Sequence, residues 1–211
     1  MVTRLMKVLD AAFGHPRGLS GRVGGIIMAR GNAEQERWAV RQAGLRPDAR
    51  VLVVGHGPGI GVAMAAAAVR PPSGHVVGVD PSSTMRAMAA ERCSSRGVTG
   101  HVELREGRAE RTHCCDTSMD VAISVNNIML WDRAAGFAEL HRVLKPGGRL
   151  VVTVHRHVLD TRPEQLRTDA VAAGFVNVEV ALRQRRLNSP AVDLRAQRAQ
   201  VHDRVADPGR E

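Results

Sequence analysis

The stretch Val51-Leu-Val-Val-Gly55-His-Gly-Pro-Gly-Ile-Gly61 decides the fold. An apolar run delivers the chain into a turn with glycines at 55, 57 and 59, and a helical stretch follows. A second apolar run, Val76-Val77-Gly78-Val79, ends in a single carboxylate, Asp80. Strand, glycine turn, helix, strand and acid is how an α/β sheet builds a nucleoside-binding crevice. Glycine lets a ligand lie against the main chain. Pro58 stiffens the loop, and the first turn of the next helix offers free N–H groups. Asp80 can accept both hydroxyls of a ribose. The rival reading of Asp80 is helix capping, but Ser82 can cap that helix without it.

Outward from this stretch, short apolar runs alternate with helical ones. Strands are expected at Val51–Gly55, Val76–Asp80, His101–Leu104, Val121–Val125 and Leu150–Val154. Helices are expected at Ile60–Val69, Ser82–Ser95, Arg133–Val143 and Pro163–Ala173. The alternation predicts an α/β fold with a mostly parallel, doubly wound sheet. Val176–Leu182 and Ala191–Ala196 flank a turn at Asn188-Ser189-Pro190 and read as a final antiparallel hairpin. Residues 1–45 read as helices: one around Leu5, Val8, Leu9 and Ala12, a break at His15-Pro16-Arg17-Gly18, and a second helix capped by Asn32 with Gln35 completing a loose capping box. Three parts are expected: a helical lid over 1–45, a core over 46–199 and a frayed polar tail over 200–211.

The bulk composition sets limits. The chain has 211 residues, with 44% hydrophobic and 24% charged residues, as in an ordinary soluble domain. No apolar run approaches the roughly 20 residues of a membrane span. The first ten residues hold no long apolar signal segment, so a cytoplasmic protein is expected. Cys93, Cys114 and Cys115 form no Cys-x-x-Cys pair and support neither a disulfide framework nor a metal site. The net charge is +9, and Lys7 and Lys145 are the only lysines. Excess charge of this kind speaks to nonspecific association. With 2% aromatic residues and no tyrosine there is little on which to stack bases.

The order of motifs resembles the class I S-adenosylmethionine-dependent methyltransferase family, in its type 11-like form. The resemblance is carried by Gly55-His56-Gly57-Pro58-Gly59, by Asp80-Pro81-Ser82 with Met85, and by Glu106-Gly107-Arg108-Ala109-Glu110. It continues through Met119–Val125, Leu140–Leu150 with its Leu-Lys-Pro-Gly-Gly turn, and Gly174-Phe175. It covers about residues 46 to 199. It implies a Rossmann-like seven-stranded sheet and S-adenosylmethionine as cofactor, with S-adenosylhomocysteine as product. By position, Gly55, His56, Gly57, Pro58 and Gly59 would line the methionine part. Asp80 would hold the ribose, with Pro81 and Met85 packed near ribose and adenine. Arg108, Ala109 and Glu110 would meet the adenine, and Asn126 the methionine moiety or the methyl group.

Two positions depart from the family pattern. A glutamate or aspartate that helps to hold the cofactor's ammonium group usually stands where this chain has Val53. An aspartate that accepts from the adenine amine often stands where it has Arg108, and arginine offers no acceptor. Losing one such charged hydrogen bond weakens binding about tenfold to a hundredfold. Glu110 is a neighbour with an acceptor to offer.

The resemblance places the acceptor pocket beyond the fourth strand. Asn126-Asn127-Ile-Met-Leu-Trp131 is not the Asn/Asp-Pro-Pro-aromatic motif of exocyclic base amine methylation. Met28, Asn127, Trp131 and His155 are the pocket candidates. Trp131 alternatively packs the next helix, and His155 or His157 alternatively lies in solvent. His141 reads as a surface residue. The function so implied is methyl transfer to a small-molecule acceptor, as in secondary metabolism, by a monomer or homodimer. The alternatives are RNA or protein methylation, which the charge motivates, and a non-methylating descendant, which Val53 and Arg108 motivate. No catalytic residue is assigned.

Overall fold

The computed structural model describes residues 18–185 and 189–200, and for residues 18–30 the backbone alone. The helix expected around Leu5–Ala12, the break over 15–17, most of the polar tail and the Met28 side chain lie outside the described set. Seven strands form one sheet: β1 (Arg50–Val54), β2 (His75–Val79), β3 (Val102–Arg105), β4 (Met119–Val125), β5 (Leu144–His155), β6 (Phe175–Arg183) and β7 (Ala191–Arg198). Among the described residues five α-helices accompany them: α1 (Gly18–Ala43), α2 (Ile60–Ala68), α3 (Ser83–Ser95), α4 (Arg133–Val143) and α5 (Pro163–Ala172).

The strand order is β3-β2-β1-β4-β5-β7-β6. The first five strands are parallel, and β7 runs antiparallel to both β5 and β6. The expected mostly parallel doubly wound sheet with an antiparallel hairpin is therefore present. The side chains of β1 show why both faces are covered. Leu52 and Val54 enter one core with Ile128, Phe137, Leu140 and Leu166. Val51 and Val53 enter the other with Ala39, Ala43, Val62 and Ile123. Alternate residues thus demand helices on opposite sides, and an unbroken apolar strand is the result. The chain winds from β1 toward β2 and β3 on one side and returns to β4 and β5 on the other. Between them, at the carboxyl ends of β1 and β4, lies the crevice that such a switch of direction creates.

Three expectations change. Asn32 does not begin a helix: it sits inside α1, a single helix of 26 residues. Its side chain bonds across to Asn126, and that of Gln35 to Thr153. The apparent capping box is thus a pair of tertiary contacts, a case where partners distant in sequence override a local signal. Second, β5 starts earlier than Leu150. The register jumps from Met119↔Leu144 to Val121↔Arg149, so Lys145–Gly148 bulges between two paired segments. Gly147, at φ 75, makes that bulge. Third, His141 is half-buried, its ring edge-on to Phe175 at 5.3 Å.

Helix α1 is packed on the body of the fold. It packs along α2, α3, β4 and β5, and Ala39 and Ala43 are wholly buried. Its C-terminal end leads into the start of β1, so it runs antiparallel to the strands. Residues 32–36 therefore reach the strand ends where the crevice opens.

Candidate active site

The glycine loop is held from three directions. Gly55, Gly57 and Gly59 adopt φ of 57°, 52° and 81°, the left-handed region that costs other residues about 1–2 kcal/mol. A Cβ on Gly55 would strike Asn127 Nδ2 at 2.6 Å. At Gly57 a Cβ would meet nothing within 4 Å. That one loop glycine has open space beside its Cα, while its N–H donates to Asp80 and its carbonyl accepts from His56. Pro58 is buried, and its carbonyl accepts from Arg92 Nε of α3 at 2.9 Å.

Asp80 ties the loop to the tip of β2. Oδ2 accepts the Gly57 N–H and Oδ1 the Ser82 N–H, both at 2.9 Å. Ser82 itself caps α3, accepting from Met85 N–H. Both readings of Asp80 have a physical basis: it organises the turn before α3, and each of its oxygens retains a lone pair for a ligand hydroxyl. Arg86 steadies the corner by donating to Asp80 O and to Glu106. Pro81 is half-buried beside it, and Met85 is buried in the first turn of α3.

His56 faces inward. Its ring lies close enough to Gly78 that a Cβ there would sit 2.9 Å from Cδ2. Nδ1 lies 2.7 Å from Gly57 O, which can only accept, so Nδ1 carries the proton. Nε2 is then a buried lone pair, and it has no partner. Burial holds the ring's pKa below its ordinary value.

On the adenine side of the crevice, Ala109 is buried and Arg108 is exposed. Glu110 turns away toward α4, where Oε1 accepts Asp132 N–H at 2.8 Å. Trp131 packs edge-on to Phe137 at 6.0 Å and donates Nε1–H to Asn127 Oδ1 at 2.8 Å. These contacts agree with its packing role.

Asn127 is buried and fully used. Nδ2 donates to Val54 O and Val125 O, and Oδ1 also accepts from Ser124 Oγ. It pins the glycine loop to β4 rather than presenting a polar group to a pocket. Asn126, at φ 55, closes a second network. Its amide donates to Asn32 Oδ1 and Gln35 Oε1, and its oxygen accepts His155 N–H. Gln35 continues to Thr153 and Asp193. Arg183 pairs with Asp193 and Glu34 and lies 4.5 Å from the Trp38 ring centre. Arg185 pairs with Glu34 as well.

His155 sits in this network with both ring nitrogens engaged. Arg185 Nη1 can only donate, so Nδ1 at 2.9 Å accepts, and Nε2–H faces Asn32 Oδ1 at 3.3 Å. Burial, then the Arg185 charge and His157, push its pKa down to about 4. It is a neutral imidazole whose lone pair is occupied. His157 is exposed beside it.

The sequence reading did not single out Glu36. It is 8% exposed, Oε2 has no hydrogen-bond partner, and burial pushes its carboxyl up to about 8. A signal was there: Glu36 lies three and seven residues before Ala39 and Ala43, on the helix face that must be apolar. Gln35, Thr153, Asp193, Arg183 and Arg185 carried no such signal, since only the fold brings them together. Among the described residues no cluster of metal-binding side chains occurs, and no helix is long and apolar enough to cross a membrane.

Comparison with known proteins agrees with this geometry. A family model described as a methyltransferase domain matches residues 51–148. The uncharacterized methyltransferase YdaC of Bacillus subtilis (strain 168) is 32% identical over 166 residues, 75% of this chain and 88% of that protein. The ubiquinone/menaquinone biosynthesis C-methyltransferase UbiE of Geotalea daltonii is 33% identical over 119 residues, 55% of this chain; the match spans about half of that protein's length, 49%. Among solved structures, phosphoethanolamine N-methyltransferase 2 of Haemonchus contortus with bound S-adenosyl-L-methionine superposes with a TM-score of 0.68 at 20% identity, over 79% of this chain and 53% of that one. The [4+2]-cyclase SpnF superposes with 0.65 at 19% identity, over 80% and 82%.

Proposed function

The chain belongs to the class I S-adenosylmethionine-dependent methyltransferases, and from that premise we propose that it transfers a methyl group to a small-molecule acceptor. The observation that carries the choice of acceptor size is α1. Its residues 32–36 lie across the ends of β4 and β5 and bond to Asn126, Thr153 and His155. A helix laid across the strand ends favours a small acceptor over a polymer. The arginine excess does not argue otherwise, because much of it is engaged inside the chain. Arg142 pairs with Glu139 and Asp116, Arg133 with Asp160 and Asp169, and Arg198 donates to three carbonyls at the end of α4.

The residues of the crevice fit the cofactor. Gly57 gives room for a ligand against the main chain, and Asp80 offers lone pairs for ribose hydroxyls. Gly55, Pro58 and Gly59 would shape the methionine cradle. Pro81 and Met85 would flank ribose and adenine, and Ala109 would offer its main chain to the adenine edge. The bound cofactor supplies an electrophilic methyl on sulfur, and the protein's task is to orient it and keep water away. His155 has no free lone pair, so the chain does not offer it as a ready general base. An acceptor that is already nucleophilic at working pH needs none. Relatives named for quinone C-methylation make an electron-rich ring carbon a class to test first. The scarcity of aromatic residues accords with a small-molecule acceptor rather than a nucleic acid.

The test is titration calorimetry with S-adenosylhomocysteine, followed by transfer of labelled methyl to a panel of hydroxylated aromatics, quinols and amines, with RNA alongside. Binding and turnover on a small acceptor are expected. Salt-sensitive methylation of RNA alone would move the assignment to a polymer. Cofactor binding without transfer to any acceptor would favour a different chemistry, as the cyclase on the same fold illustrates.

A further inference from the structure

The strand that feeds the glycine loop lacks its expected acid, and a carboxyl from another element stands beside the gap. Val53 Cγ1 lies 3.8 Å from the point where a Cβ on Gly61 would sit, and Glu36 Oε2 lies closer still to that same point. Gly61 is in the first turn of α2, immediately after the loop. Val53 belongs to the core beneath α1, with Ala39 and Ala43. Glu36 is one helical turn nearer the crevice than Ala39 on that face. We propose that Glu36, supplied by α1, takes the place of the acid absent at Val53 and holds the ammonium group at the methionine end of the cofactor. This rests on the cofactor reading above.

Two properties of Glu36 support the assignment. A carboxyl placed for packing alone would be bonded or would reach solvent, because a buried unpaired acid is costly. This one is buried, and Oε2 is left unpaired. Burial raises its pKa to about 8, so near pH 7 the empty site holds mostly the neutral acid. An arriving ammonium favours the charged form. The carboxyl O–H bond then breaks: its proton passes to solvent, the electron pair stays on the carboxylate, and the ligand's own bonds are unchanged.

The sign of the pH effect follows. The folded pKa lies above the ordinary 4.5, so between 4.5 and about 8 the folded state binds the extra proton. Stability of the ligand-free protein therefore falls as pH rises through that window. Glu36→Gln removes this loss.

The experiment is calorimetry on the full chain, wild type and Glu36→Gln, with S-adenosylhomocysteine and with methylthioadenosine, which keeps the adenosine and sulfur but lacks the amino acid. Each is measured near pH 7 in two buffers of different ionisation enthalpy. Glu36→Gln is expected to weaken S-adenosylhomocysteine about tenfold to a hundredfold. It should leave methylthioadenosine unchanged, abolish proton release on binding, and raise the melting temperature at pH 8. Wild-type affinity for S-adenosylhomocysteine in Glu36→Gln, or equal weakening of both ligands, would overturn the proposal. If wild type bound neither ligand, the cofactor reading itself would fall and take this one with it.

Discussion

The two halves of the crevice treat their polar groups in opposite ways. Around the ends of β1 and β2, two are buried without partners: His56 Nε2 and Glu36 Oε2. At the ends of β4 and β5, Asn126, Asn127 and His155 have their side-chain groups engaged. Unpaired buried groups cost stability unless a ligand completes them. A saturated network instead fixes geometry, since every member holds another. The first half leaves groups for the proposed ligand to complete; the second holds a shape.

That contrast can be broken most forcefully at Asp80. Asp80→Ala removes the acceptor for Gly57 and Ser82 N–H groups and the proposed ribose ligand together. S-adenosylhomocysteine affinity should fall about a hundredfold or more. Calorimetry showing near wild-type affinity would break the assignment of this half. Next comes Asn127→Leu, which keeps the volume but strands Val54 O, Val125 O and the Trp131 indole N–H. It should cost about 3 kcal/mol in urea unfolding, a loss of fold before a loss of chemistry. A stable variant that lost only acceptor turnover would move Asn127 back into the pocket.

His155 sharpens the comparison through pH. Its folded pKa is depressed from 6.5 to about 4, so between those values the unfolded state binds more protons. The stability it supports is whole above pH 6.5 and drains away as pH falls toward 4. His155→Gln should flatten that part of the stability profile. It should also leave the pH dependence of turnover unchanged near pH 6.5, whereas loss of an inflection there would identify His155 as a working base. The smallest effect is expected for Glu106→Ala. Glu106 is 76% exposed in its pair with Arg86, and its removal should alter stability and cofactor affinity by less than about 1 kcal/mol.

How far the sequence foretells this molecule depends on the range of the interactions. Apart from the early start of β5, strands and helices from Arg50 onward lie within a few residues of their expected places, because an apolar period and a glycine turn are local signals. Asp80 and the glycines were legible for the same reason. The continuity of α1 was not, since Asn32 and Gln35 look like a cap until Asn126 and Thr153 are folded against them. Trp131 was readable as either wall or packing, and only Asn127 and Phe137 separate the two. Arg108 and Val53 were visible as departures from a pattern, but what stands in for a missing group is a question of space. Glu110, the nearest candidate in sequence, is turned toward α4. Glu36, remote from Val53 in the chain, is beside it in the fold.

The position of β7 bears on how the chain is born. It is the last strand in sequence among the described residues, yet it lies inside the sheet, flanked by β5 and β6. On its buried side Asp193 takes the hydroxyl of Thr153. A nascent chain emerging from the ribosome therefore cannot close its sheet until Ala191–Arg198 is free of the exit tunnel. Until then β5 presents an open apolar edge, the kind of surface on which unfinished chains aggregate. Assembly is thus gated by the emergence of Ala191–Arg198, and a ribosome stalled just short of residue 191 would hold a molecule with its crevice strands made and its sheet still open.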